Sequence, residues 1–455
     1  MEILDRIRNS RMTRFQYVAI GIALALIVVD GIDVAIMSYA APYVSRQWNV
    51  APVNLGLLLS ASLFGMAAGS IVLTPLADRF GRRKVTLVAL SIAVVGLALS
   101  PLASTATELM YFRILTGVGV GGMMANLIVL SSEYSSDKRR GTVVGIIAAG
   151  YPIGAGLGGL LASVLLPRFG WPSLFVSAAV LSALLLALSI RMLPESLDFL
   201  LANRPPKALQ SVNAILAKMN VEPVSALPPA ESSRASKSAV REILTRPVRF
   251  RALALWLGYA CLIGAYYFVN TWTPKMIASA SNDDSLGVTV AFVANVGGIV
   301  GALALSALSL RFRIQRTLVL ALVLSAVSYV VFGMVFESVS GGLYAAFLLG
   351  LITTGAVAGF YVYAPGIYTA RARATGMGWT MGIGRMMSIL APILVGFLID
   401  GGLQPQTIFF VFAIPLLVSA ACVFAIEASL RKAVRSSGSI GTARPAADAA
   451  PTVKI

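Results

Sequence analysis

Twelve apolar runs, each long enough to cross ~30 Å of hydrocarbon as a helix, follow one another along this 455-residue chain. They lie at roughly 16–44, 53–77, 85–104, 107–133, 142–166, 171–193, 249–277, 286–310, 317–336, 341–367, 375–399 and 405–428. Within a bilayer every backbone N–H and C=O must find a partner inside the protein, which leaves helices and closed barrels as the spanning structures. Barrel strands run about ten residues with alternating polarity, and nothing here alternates. The sequence predicts an all-α polytopic membrane protein with twelve transmembrane helices. Its 12% of charged residues, against ~25% in soluble proteins, agrees.

A formal charge of +17 raises the question of nucleic acid, and the placement of the charges answers it. Of the 36 Lys and Arg, Arg46, Arg168 and Lys275 fall on one side of the twelve-span drawing, and Arg113 and Arg385 fall inside spans. The rest gather in the two tails and the even-numbered loops, the positive-inside asymmetry that puts both termini in the cytoplasm. The partners implied are a lipid bilayer and no nucleic acid. The first run, Phe15–Val44, is too long for a cleaved signal peptide and is expected to stay as a helix. Cys261 and Cys422 both fall in apolar runs, so no disulfide framework is expected.

The expected organisation is a cytoplasmic tail (1–15), a first bundle of six helices (16–193), a cytoplasmic linker (194–248), a second bundle (249–428) and a disordered cytoplasmic tail (429–455). Ser196–Met219 within the linker suits short surface helices. The halves echo each other: GVGVGG (117–122) then YSSDKRRG (134–141) in the first, TGAVAG (354–359) then YTARARATG (368–376) in the second. A parallel repeat of this kind places a transport site between the bundles near mid-depth. Gly65/Gly69, Gly117/Gly121, Gly154/Gly158, Gly297/Gly301 and Gly355/Gly359 are small-xxx-small pairs suited to close helix packing. They are not phosphate loops, since no strand precedes them and no GK[ST] follows.

The polar exceptions inside the spans carry the chemistry. Asp30 and Asp33 are the only charges in Phe15–Val44. A carboxylate at mid-bilayer depth costs about 2.5–3.5 kcal/mol on insertion scales and by default marks an ion or substrate path. The i, i+3 spacing sets both on one face, where two carboxylates in low dielectric resist ionising together. They are the expected proton acceptors, with pairing to a buried Arg as the alternative. The chain has no His, which rules out a histidine relay. Arg385, about mid-depth, presents a planar fork that matches a carboxylate: it would hold a substrate carboxylate or pair with Asp30 or Asp33. Arg113 begins its span nearer the outer face, where its position alone suits snorkelling to the interface. Tyr267, Asn270, Trp272 and Tyr361 offer flat walls and donors suited to a ring-shaped acid. No metal-ligand cluster, nucleophile elbow or nucleotide loop is visible, so no metal, cofactor or enzymatic activity is expected.

The loop LADRFGRRK (76–84) resembles the signature of the major facilitator superfamily at Asp78, Arg79, Gly81, Arg82 and Arg83, joined by RILTGVGVGG (113–122) and PESLDFLL (194–201). DGID (30–33), SSEY (131–134) and RATGMGWTMGIGR (373–385) narrow it to a likeness with the aromatic acid:proton symporter branch. Thr74 stands where the loop motif begins with Gly, and Asn126 where the branch usually has Pro, a change within the expected pocket. The second-half loop LRFRIQR (310–316) lacks the Asp and Gly. The resemblance implies the major facilitator fold, a monomer, and import of a benzoate- or hydroxybenzoate-type acid with a proton. It also implies a proton- or substrate-coupling role for Arg113. The 78–83 cluster, with Glu133 and Arg373, reads as a gate whose charges latch one bundle to the other in one state and release in the next, Glu133 pairing with Arg79, Arg82 or Arg139. The alternatives are import of another organic acid such as muconate, or drug:proton antiport.

Overall fold

The computed structural model describes residues 12–227, 243, 248–335, 339–368 and 373–438. Twelve helices are long and apolar enough to cross a membrane. In the first half they are α1 (Arg14–Gln47), α2 (Pro52–Phe80), α3 (Arg82–Leu99), α4 (Ala106–Glu133), α5 (Asp137–Phe169) and α6 (Pro172–Met192). Two short helices, α7 (Leu197–Asn203) and α8 (Ala208–Lys218), lie in the expected linker. The second half comprises α9 (Val248–Ser281), α10 (Asp284–Arg311), α11 (Ile314–Met334), α12 (Val339–Tyr363), α13 (Arg373–Asp400) and α14 (Pro405–Gly438). The last helix runs on to Gly438, past the expected boundary at 428; 439–455 lie outside the described residues.

The glycine pairs explain how the helices of each half come together. A Cβ on Gly65, Gly117 or Gly121 would stand 2.0–2.1 Å from a carbonyl oxygen of the facing helix, between α2 and α4. Gly297 and Gly301 do the same between α10 and α12 (2.2 and 1.8 Å). Gly154 meets the Val28 carbonyl and Gly31 the Tyr151 carbonyl, between α1 and α5. Gly158 and Gly355 have looser surroundings and are not tight contact points. With hydrocarbon outside, packing of small residues replaces the hydrophobic drive that holds soluble bundles together. The pairings repeat: α2 with α4 and α3 with α4 are matched by α10 with α12 and α11 with α12. Gly121→Val should therefore lose about 1–3 kcal/mol by overpacking, read as a lower melting temperature in detergent; an unchanged melt would remove this account of α2–α4 packing.

The halves meet mainly at the end remote from the termini. The helices α2 and α13 run antiparallel in a zipper: Gly396 lies on the Pro52 carbonyl, Gly56 on the Pro392 carbonyl, and Ser60 Oγ donates to the Ile389 carbonyl at 2.7 Å. Arg46, at the end of α1, pairs with Asp284, at the start of α10, at 2.8 Å. Asn295 of α10 donates to the Tyr39 hydroxyl of α1 at 3.2 Å. The zipper ends at Arg385, whose Nη1 rests 3.7 Å from Met66 Sδ. On the same face of α13, one and two turns nearer the termini, Gly382 and Gly378 have nothing within 4 Å of a built Cβ. The halves diverge from Arg385 toward the side that carries both termini.

The apolar cores follow the same division. One fills the second half and continues into the remote end of the first, taking in Ile36, Tyr39, Leu55 and Leu59. The other fills the termini end of the first half and takes in Leu197 and Leu200 of α7 and Val212 and Leu216 of α8. Tyr267 packs against both.

Candidate functional site

The two acids of DGID meet different fates. Asp33 is 1% exposed and is held by Arg113: Nη1 donates to Oδ1, and Nη2 donates to Oδ2 and to the Asp33 carbonyl, both at 3.1 Å. The guanidinium lies over the Phe175 ring of α6, 5.5 Å from its centroid. This ties α1, α4 and α6 into one unit of the first half. Arg113 does not snorkel, because Asp33, one turn outward of Asp30, is within its reach and an ion pair is the cheaper way to keep a guanidinium in low dielectric. For Asp33 the alternative reading, pairing with a buried Arg, is the one the structure forms.

Asp30 is fully buried, and among the described residues neither of its carboxyl oxygens has a hydrogen-bond partner. The sharp contact of Gly31 with the Tyr151 carbonyl brings the α5 backbone against α1 next to Asp30. Tyr151 interacts electrostatically with Tyr267 on α9. Tyr267 in turn neighbours both Asp30 and Arg385.

Arg385 is half-buried. Among the described residues no carboxylate pairs with it; its side-chain contact is the Met66 sulfur, a weak acceptor. Its nearest ionisable neighbours are Tyr267, Asp30, Tyr151 and Tyr361. The fixed salt bridge of Arg385 to Asp30 or Asp33, one of the two sequence expectations, is not formed. Tyr361 is 42% exposed and shares a hydrogen bond with Tyr259, O to O 3.2 Å. The Tyr266 and Tyr267 rings meet edge-on at 5.5 Å.

Other expected ligands are occupied elsewhere. Trp272 is 1% exposed and its indole N–H donates to the Pro392 carbonyl at 3.0 Å, so it fastens α9 to α13 instead of lining an open pocket. Asn270 and Asn126 each donate to the carbonyl one turn back, Tyr266 and Gly122, at 2.9 Å. Tyr151 was missed by sequence reasoning. The available signal was a tyrosine before a proline, Tyr151–Pro152, in mid-span.

The expected gate is assembled, but within one half. Arg82 binds Glu133 and donates to Ser196 Oγ at 2.9 Å, and Ser196 Oγ donates to Glu133 at 2.7 Å. The Arg83 backbone N–H donates to Glu195 at 2.9 Å. Gly81 takes φ +103°, and a Cβ there would stand 2.5 Å from a Glu195 oxygen; both facts call for glycine. Asp78 lies at 3.8 Å from Arg82 and is largely exposed, and Arg79 lies over the Phe80 ring. These contacts bind the loop and α4 to the segment leading into α7. In this arrangement, with the halves apart on this side, they join elements of the first half only. Arg373 begins α13, and its side chain lies outside the described residues.

Comparison with known proteins adds a lineage. The family model described as Major Facilitator Superfamily matches residues 23–344. The chain is 29% identical to the gallate transporter of Pseudomonas putida over 93% of this chain and 95% of that protein. It is 30% identical to the benzoate transport protein of Acinetobacter baylyi over 94% and 93%. Its fold is similar to the partially occluded inward-open structure of the xylose transporter XylE of E. coli, TM-score 0.70 at 14% identity, covering 90% of this chain and 99% of that one.

Proposed function

This chain belongs to the Major Facilitator Superfamily, a family of transporters, and we propose that it imports an aromatic carboxylate of the benzoate or hydroxybenzoate type together with a proton. One observation carries the reading. Where the halves part, Asp30 on one half has no hydrogen-bond partner and Arg385 on the other has no carboxylate partner among the described residues, and the two interact electrostatically. Each lacks a counterpart that a proton and an organic acid would supply. The relatives named as gallate and benzoate transporters point to an aromatic acid.

The cycle follows from the cost of buried charge. With the site open to the outside, Asp30 takes a proton and Arg385 takes the carboxylate in two-point geometry. The neutralised core can then be enclosed, whereas an unpaired buried ion resists enclosure. Rocking of one half against the other around this point opens the termini side, which the positive-inside asymmetry assigns to the cytoplasm. There the lower proton concentration empties Asp30, and the acid leaves. The carrier in this view sits in the bacterial inner membrane and works as a monomer. Tyr267 and Tyr361 provide the ring wall.

The test is a panel of labelled acids in proteoliposomes under an imposed inward proton gradient: benzoate, 4-hydroxybenzoate, gallate, nicotinate and muconate. At least one aromatic acid should accumulate above equilibrium and collapse with a protonophore. Preference for muconate, or acid-driven efflux of cationic dyes without acid uptake, would sink the reading.

A further inference from the structure

The end of the protein remote from the termini carries three basic residues, Arg46, Arg168 and Lys275, and two of them gather at one carboxylate where the halves touch. Arg46 Nη1 donates to Asp284 Oδ2 at 2.8 Å. Among the described residues this is the one ion pair that joins the halves. The Arg46 side chain is half-exposed, whereas that of Asp284 is mostly covered. Asp284 Oδ1 is buried and has no hydrogen-bond partner among the described residues. Lys275 stands close by on the second half. The Pro274 carbonyl lies 2.2 Å from a Cβ built on Gly287, which presses α9 against the first turn of α10 at this point. Lys275 interacts electrostatically with both Arg46 and Asp284.

We propose that Arg46–Asp284 is the latch that closes the remote entrance, and that Lys275 is the partner Asp284 keeps when the latch opens. A carrier that rocks must break, in every cycle, whatever joins its halves on one side. Stripping a covered carboxylate of its partner is costly, and a second cation on the same half removes that cost. The helix ends help on both sides. Arg46 sits in the last turn of α1 and Asp284 in the first turn of α10, where the helix dipoles favour each charge whether or not the two touch. Opening therefore strands neither group: Arg46 reaches water, and Asp284 turns to Lys275. None of this depends on which acid is carried.

Ser60 can report the state of this entrance without any substrate. It is buried in the α2–α13 seam, where it donates to the Ile389 carbonyl, and parting of the halves at the remote end would bare it. In intact cells, Ser60→Cys in a Cys261→Ser, Cys422→Ser background is labelled with a membrane-impermeant maleimide. Arg46→Gln should speed labelling about two- to fivefold, the range an exposed ion pair supports. Lys275→Gln should slow it by a similar factor, because the open state alone loses its partner. Opposite signs for two neutralised cations beside one carboxylate mark an exchange of partners; loosened packing would move both the same way. Both effects should vanish in an Asp284→Asn background, where neither cation has its anion. Raising the salt outside should speed labelling when Arg46 is present and change nothing in Arg46→Gln. An unchanged rate in Arg46→Gln would overturn the latch, and an unchanged or faster rate in Lys275→Gln would overturn the exchange. Effects that persist in Asp284→Asn, or no labelling from outside in any variant, would overturn both.

Discussion

Asp30→Asn is expected to abolish concentrative uptake while leaving exchange of the acid intact. The carboxamide is close to the shape of a protonated carboxyl and cannot ionise, so the acid-loaded core stays neutral whatever the pH. An imposed gradient of ~2 pH units can hold a solute about a hundredfold concentrated through one coupled proton, each tenfold corresponding to ~1.4 kcal/mol. In the variant that ratio should fall to about one. Counterflow, in which labelled acid outside exchanges with unlabelled acid inside, needs no net proton movement and should persist. Uphill accumulation by Asp30→Asn would remove this residue from the mechanism. Asp33→Asn should behave differently: it strands Arg113, 1% exposed, without its anion, and removing one partner of a buried pair costs roughly 3–5 kcal/mol. Its signature is lost stability, not lost coupling.

Arg385→Ala should weaken acid binding by a hundredfold or more. Truncating one side of a buried, hydrogen-bonded charge pair costs roughly 2–5 kcal/mol, and here the other side is the substrate. Arg385→Lys keeps the charge and loses the fork, so an intermediate loss is expected. Because the one side-chain hydrogen-bond contact of Arg385 among the described residues is the weak Met66 sulfur, its removal should leave the melting temperature nearly unchanged, which separates a binding role from a structural one. Calorimetric affinity within threefold of wild type in Arg385→Ala would show that the carboxylate is held elsewhere.

Much of the site was legible as residue types, because a charge inside an apolar span is conspicuous. What each charge does was not. Asp30 and Asp33 are one turn apart on one face, and nothing in DGID distinguishes them. Arg113 and Arg385 looked like a peripheral and a central cation. The packing of α4 beside α1 gives Arg113 to Asp33, and so leaves Asp30 open and Arg385 unclaimed. Trp272 read as a wall because aromatic residues suit rings, yet the carbonyl of Pro392 lies within reach of its indole. Tyr151 drew no notice as one tyrosine among fourteen, and it matters only because Gly31 lets α5 approach.

Hydropathy and charge placement alone settled the twelve spans, since lipid accepts only segments that satisfy their own backbone and basic loops resist translocation. The short-range glycine spacing likewise announced close packing. Which carboxylate is paired, which guanidinium is free, and on which side the halves part depend on distances between helices far apart in the chain. Those distances are set by the fit of several facing surfaces at once, and no local stretch of residues encodes them.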